Sequence, residues 1–267
     1  MSTNEIPISE LQRAIQEDPV VFLDSVLNCD HWSKQDEIIR AVFKYQRVAV
    51  KSCHGIGKTY IASRIAHAFL FAFLDSIVVT TAPTFRQVEN ILWREMRSAK
   101  SKSVVPLGGN MLKTKYELDE KWYAIGLSSD KDDNFQGFHA ENLLVIADEA
   151  SGIPDNTLNV MEALMTSEGT HELFIGNPTN TTGKFYDAFK SDLYYKISIS
   201  CFDTPNFKKN RIKTITDLLD YTREELIELP LPYPELVTPL WAFERAQSWG
   251  IDSPIFQSRV LAIFPEE

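Results

Sequence analysis

Short β-branched apolar runs alternating with longer helical segments predict an α/β fold: a mainly parallel sheet covered by helices on both faces, with a small helical appendage at the C-terminal end. Three observations carry this expectation. Arg47-Val48-Ala49-Val50-Lys51 and Leu143-Leu144-Val145-Ile146-Ala147 are too short for helices and apolar throughout, as strands buried on both sides are. The stretch from Thr59 to about Leu74 is apolar around most of a helical circumference, which suits a helix packed against a sheet. From Asn210 onward strand-like runs cease and prolines gather at Pro230, Pro232, Pro234 and Pro239.

The elements follow in order. Leu11, Ile15, Val20, Phe22, Leu23 and Val26 fall at the spacing of short helices between Ser9 and Asn28. Ser33 is suited to cap a helix running through Gln35, Ile38, Ile39 and Val42. The Arg47–Lys51 strand enters a glycine-bearing turn, Ser52 to Lys58, and then the apolar helix. Ser76 to Thr81 is a second strand bounded by Pro83, and Phe85 to Arg97 an amphipathic helix with Val88, Ile91, Leu92 and Met96 inward. Between Met111 and Ser128 the period drops to two around Asp119-Glu120-Lys121, which predicts a hairpin. Leu143–Ala147, Glu172–Ile175 and Tyr195–Ser200 complete the strands, with a helix at Thr157–Thr166. Helices are also expected at Pro239–Trp249 and Ile255–Ile263. The expected organisation is a core with N-terminal helices over 1–209 and a helical lid or linker over 210–267.

Composition narrows the function classes. With 267 residues, 44% of them hydrophobic, the chain has ample core material and is neither low-complexity nor disordered. Its 37 acidic and 27 basic side chains leave a net charge of -10, which argues against a surface that binds polyanions everywhere. A local basic patch or a transient contact with DNA stays compatible with that charge. Cys29, Cys53 and Cys201 show no metal-ligand spacing and suit a reducing compartment. No run reaches the roughly 18 apolar residues of a membrane span; the longest, Ile61 to Leu74, is interrupted by Ser63, Arg64 and His67. Met1 to Asp18 is polar and acidic, unlike a signal peptide.

Chemistry concentrates in three motifs. Ser52-Cys53-His54-Gly55-Ile56-Gly57-Lys58-Thr59 joins a buried strand to an apolar helix and matches the G-x-x-x-x-G-K-[ST] phosphate loop except at its first position. Backbone N–H groups there can wrap phosphates at the positive end of a helix dipole. Lys58 would reach the β- and γ-phosphates, and the Thr59 hydroxyl would ligate Mg2+. The second motif is the apolar strand ending in Asp148-Glu149: Asp148 suits the metal shell opposite Thr59, and Glu149 suits polarising the attacking water. Helix capping is the competing role for Asp148. The third is Gly176-Asn177-Pro178 at another strand exit, where Asn177 can sense the γ-phosphate or simply form a turn. Gln35 ahead of the first strand can read adenine through its amide, or be an exposed helix glutamine.

Together these residues resemble the ATPase domain of the tailed-phage terminase large subunit, the motor of viral genome packaging. The likeness takes in Trp32-Ser33-Lys34-Gln35, the Ser52–Thr59 loop, Thr80-Thr81-Ala82-Pro83-Thr84, Phe135-Gln136-Gly137-Phe138-His139, Asp148-Glu149-Ala150 and Gly176-Asn177-Pro178. The segment from Asp252-Ser253-Pro254 through Ser258-Arg259-Val260 to Phe264-Pro265 looks like the family's junction with its second domain. The resemblance implies a RecA-like ASCE P-loop NTPase fold, with ATP and Mg2+ as cofactors. It implies Asp148 as the Walker B acid, Glu149 as the catalytic glutamate and Asn177 as the coupling residue. It further implies double-stranded DNA as cargo, a small terminase subunit and a portal protein as partners, a homo-oligomeric ring, and action in the host cytoplasm at the procapsid.

Motors of this kind supply an arginine across the subunit boundary. Arg86 and Arg94 are the candidates here, and His54 stands near the position where some relatives carry a loop arginine. The chain ends soon after Pro265, without room for the family's nuclease domain, so ATPase without nuclease activity is expected. The competing readings are a helicase-like motor on the same core, a small-molecule phosphotransferase using the same loop, and a non-catalytic nucleotide-gated scaffold that binds ATP without turnover.

Overall fold

The computed structural model describes residues 8–129, 135 and 137–265. Gln136 of the Phe135–His139 segment, and residues 1–7 of the acidic start, lie outside the described residues.

One sheet runs through the molecule in the order β3-β4-β5-β2-β6-β7-β1-β8. Its strands are β1 (Arg47–Ser52), β2 (Ile77–Thr81), β3 (Asn110–Met111), β4 (Lys115–Asp119), β5 (Trp122–Gly126), β6 (Leu143–Asp148), β7 (Thr170–Gly176) and β8 (Tyr195–Ile199). From β5 to β8 every neighbouring pair is parallel, while β3 and β4 add an antiparallel margin. All residues of β2 and β6 are buried, which explains their unbroken apolar sequences: helices cover both faces. The chain has the mainly parallel α/β architecture expected of it.

Register brings the chemistry to one rim. Asp148 of β6 lies beside Ile175 of β7, and Lys51 of β1 beside Gly176. The carboxyl ends of three adjacent strands thus deliver Asp148, Asn177 and the Ser52–Lys58 loop to one crevice, where parallel sheets collect ligands.

The helix Lys58–Ala72 leaves the loop and buries nearly its whole length. Its polar residues survive burial because each has a partner. Arg64 pairs with Glu95 at 2.7 Å and stacks on the Tyr60 ring at 3.5 Å. His67 Nε2 lies 2.9 Å from the Met96 carbonyl, to which it donates as the neutral ring, and burial holds its pKa down to about 4.

Two local expectations are corrected. Trp32 occupies the cap position of the helix Ser33–Lys44, so Ser33 is its first residue and its side chain caps nothing. The helix expected at 85–97 is divided: Phe85–Gln87, a π-helical turn Val88–Leu92, then Trp93–Lys102. The wider turn rotates the face that follows. Ile91 is therefore 44% exposed, and Trp93 takes the interior place, donating from Nε1 to Thr80 Oγ1 at 3.0 Å. Gly126 makes room for it, since a Cβ there would stand 2.2 Å from Trp93 Nε1.

After residue 209 the regular elements are helices, Pro239–Trp249 and Pro254–Arg259 among them. Their buried residues and those of the intervening turns, including Leu218, Leu236, Val237 and Phe256, belong to the same apolar cluster as the helix Lys58–Ala72. Asn206, fully buried, donates from Nδ2 to Tyr233 O at 2.7 Å and Val237 O at 3.1 Å, which fixes the 233–237 segment against the rim of the sheet.

Candidate active site

The loop owes its shape to its glycines and its braces. Gly55 and Gly57 have φ of 69° and 79°, in the left-handed region that side chains resist. At Gly57 a Cβ would also approach Gln35 Nε2 to 2.6 Å. Ser52, at the position of the usual first glycine, is buried at the strand end and donates its hydroxyl to Cys53 O at 3.0 Å. Cys53 N–H donates to Ile199 O at 2.8 Å and His54 N–H to Arg259 O at 2.7 Å, while Gly55 O accepts from Val237 N–H at 2.8 Å. Burial pushes the Cys53 thiol up to about 12, leaving an inert packing group. Ile56 is buried beneath the loop. The helix begins at Lys58, so its first N–H groups have no partners within the helix and are free to meet an anion.

Six side chains converge at the start of that helix. Lys58 Nζ lies 3.5 Å from Glu149 Oε1 and 3.5 Å from Asn177 Oδ1. Thr59 Oγ1 donates to Asp148 Oδ2 at 2.5 Å. Asn177 Nδ2 donates to Ser52 O at 2.7 Å, and His54 Nδ1 approaches Asn177 Oδ1 at 3.2 Å. Burial, then the Glu149 charge, raises Asp148 to about 6 against the opposing Thr59 bond and Lys58 charge. Desolvation of its ring and the Lys58 charge lower His54, which is neutral at pH 7.

Asp148 caps no helix; its Oδ1 instead accepts the N–H of Glu149 at 3.1 Å. Glu149 has φ 52° and ψ 45°, a left-handed conformation costing a non-glycine residue roughly 1–3 kcal/mol. The kink turns its carboxylate out of the strand direction toward Lys58. Asn177 forms more than a turn, for both ends of its buried amide are hydrogen-bonded within the site.

A cleft of about 320 Å³ opens over this group, lined by His54, Thr59, Asp148, Glu149, Asn177 and Arg259 among others. Gln87 and Ile91 form part of its far wall. Arg86 and Arg94 flank that wall but are exposed and outside the cleft. Gln35 departs from expectation. It is 2% exposed, and its amide nitrogen is spent on Ile56 O at 3.1 Å and Gly57 O at 3.5 Å, so it braces the loop from below. A second cavity of about 240 Å³ lies on the outer side of the loop between Gly55, Leu236, Thr238 and Trp241. Sequence reasoning misses Arg259 and Trp241 as site residues, because no local pattern links them to a loop some two hundred positions away.

A strand–loop–helix with Lys58 and Thr59 at its turn, facing a neighbouring strand that ends in Asp148-Glu149, defines a P-loop NTPase of RecA-like fold. Residues 53–235 match the family model for the terminase large subunit, T4likevirus-type, N-terminal region, and the chain belongs to this family. It is 31% identical over 166 residues to a probable terminase large subunit of Enterobacteria phage P7. That match takes in 58% of this chain and 34% of the relative, so the chain spans about a third of the relative's length. Among solved structures it resembles a mutant of the Thermus phage P74-26 large terminase ATPase domain, with a TM-score of 0.58, 17% identity, and coverage of 91% of this chain and 97% of that one. It also resembles the large terminase of another thermophilic bacteriophage in complex with ATP-gamma-S, with a TM-score of 0.52, 12% identity, and coverage of 87% and 52%. At these identities the structural likeness establishes the fold. Among the described residues no helix is long and apolar enough to cross a membrane.

Proposed function

We propose that this chain is the ATP-hydrolysing motor portion of a terminase large subunit that drives double-stranded DNA into a procapsid. The observation that carries the reading is the meeting of Lys58, Glu149 and Asn177 within 3.5 Å contacts directly in front of a phosphate loop. A cation there is poised to exchange its protein partners for the β- and γ-phosphates. Released from Lys58, Glu149 becomes the carboxylate that orients and polarises the attacking water. Asn177, hydrogen-bonded to the loop through Ser52 O, responds to the loss of the γ-phosphate.

Mg2+ suits the residues present. Thr59 Oγ1 and Asp148 Oδ2 are hard oxygen donors already 2.5 Å apart, and nucleotide-bound Mg2+ takes only one or two protein ligands, with phosphates and water completing its shell. When bound, the ion neutralises charge on the β- and γ-phosphate oxygens. The base belongs in the outer cavity against Trp241, because Gln35 is sealed beneath the loop.

Arg86 and Arg94, exposed and free of hydrogen-bonded partners among the described residues, are available to the nucleotide of an adjacent subunit in a ring. Residues 210–267 act as the lid or linker, and a portal protein and small terminase subunit are the assembly partners.

Steady-state ATP hydrolysis with and without duplex DNA, measured across protein concentrations, tests this reading. Turnover per subunit that rises with concentration and with DNA supports a motor with shared sites. Unwinding of a partial duplex would favour a helicase, and a phosphorylated small-molecule product a phosphotransferase; either would displace the proposal.

A further inference from the structure

Arg259 brings to the cleft a charge that neither the loop nor the strand-end motifs supply. It closes the helix Pro254–Arg259, and its main chain is pinned against the nucleotide loop. Its carbonyl accepts His54 N–H at 2.7 Å, and the neighbouring Val260 accepts Cys201 N–H at 3.0 Å through its own carbonyl. Arg259, half-buried, lines the same cleft as Thr59, Asp148, Glu149 and Asn177.

Its state differs from that of the loop cation. Lys58 is held by Glu149 and Asn177. The Arg259 guanidinium has neither an ion pair nor a hydrogen bond among the described residues, whereas Arg40, Arg64 and Arg223 all hold carboxylates. Its charge is felt by the His54 ring, which it helps to keep neutral. A planar guanidinium without a counter-charge, facing a site shaped for a polyphosphate, matches a phosphoryl group through paired N–H donors.

We propose that Arg259 binds the terminal phosphate of the nucleotide held by its own chain, so that ATP, and not ADP, adds a side-chain hold to the backbone bond that already ties the C-terminal segment to the phosphate loop. The inference rests on the nucleotide-binding reading and adds to it an in-cis residue that reports the γ-phosphate to the lid. It differs in kind from an arginine offered by a neighbouring subunit, because the same chain supplies both the loop and the guanidinium.

The test compares ADP and ATP-gamma-S affinities, by calorimetry with Mg2+, for the unaltered protein, Arg259→Gln and Arg259→Lys. Arg259→Gln should weaken ATP-gamma-S about 10- to 100-fold, the loss of a charge-assisted contact, and leave ADP within about twofold. Arg259→Lys should recover part of the loss, as a point charge in place of a fork. Equal weakening of both nucleotides, or of neither, would overturn the proposal. Mixing Arg259→Gln with Lys58→Ala protein separates cis from trans: no regain of turnover is expected, and a regain would show the arginine crossing a subunit boundary. If the unaltered protein bound no ADP, the nucleotide reading itself would fail, a result distinct from a loss confined to ATP-gamma-S.

Discussion

Lys58 Nζ stands 3.5 Å from Glu149 Oε1, a loop ammonium paired with a carboxylate whose own backbone is left-handed. In the proposed ATPase the pair would hold the two charges in mutually neutralising positions until a triphosphate separates them.

Removing either member should therefore give different failures. Lys58→Ala deletes the phosphate contact and should abolish both nucleotide affinity and turnover. Glu149→Gln keeps the shape and loses the base, so turnover should fall about 10²- to 10⁴-fold with ATP-gamma-S affinity retained. Parallel binding and rate measurements check this, and a Glu149→Gln protein that hydrolyses at the normal rate would remove Glu149 from the chemistry.

Asn177→Ala strips one hydrogen bond from buried Ser52 O and one contact each from Lys58 and His54. An acceptor left unpaired costs about 1–3 kcal/mol, which chemical denaturation should register. In a packaging assay the same variant should cleave ATP with less DNA moved per ATP; unchanged coupling would confine Asn177 to a structural role.

The outer cavity makes a prediction about the base. Trp241→Ala should weaken ADP by the roughly 1–3 kcal/mol of a base–aromatic stack, while competition by inorganic triphosphate stays unchanged. If ADP and triphosphate suffer alike, the indole supports the loop and does not bind the base.

A buried acid far from the nucleotide sets a pH effect on stability. Glu172 is fully buried on β7, accepts the Tyr194 hydroxyl at 2.6 Å, and is raised to about 7 chiefly by burial. Because the folded pKa lies above the unfolded one, folding favours the protonated form. The stabilisation is complete below about pH 4.5 and is lost as pH rises through about 7, on the order of 3 kcal/mol at most. Glu172→Gln should thus raise the melting temperature relative to the unaltered protein more at pH 8 than at pH 5. An equal difference at both pH values would mean that Glu172 does not titrate in this range.

What sequence could show depended on how far apart the cooperating residues lie. Strand runs such as Leu143–Asp148 and the Ser52–Thr59 loop are encoded in short windows, so the sheet and one wall of the cleft were legible. The inward turn of Trp93 in place of Ile91 was not, because one wider helical turn shifts a periodicity that otherwise reads cleanly. The bracing role of Gln35 was not legible for a related reason: its helix gives it a side, and only the three-dimensional fold shows that this side faces the underside of the loop. Arg259, Val237 and Trp241 reach the site through tertiary contacts alone, and no spacing rule joins residues so distant.

The two ties between the nucleotide loop and the C-terminal segments, Val237 N–H to Gly55 O and His54 N–H to Arg259 O, run entirely through peptide groups. Such ties do not depend on the side chains of His54, Val237 or Arg259, but they do depend on glycine at 55, where a Cβ would stand 3.2 Å from the Val237 nitrogen; a proline at either donor would remove a tie outright. A shift of the C-terminal segments should consequently reach the loop through these two backbone hydrogen bonds.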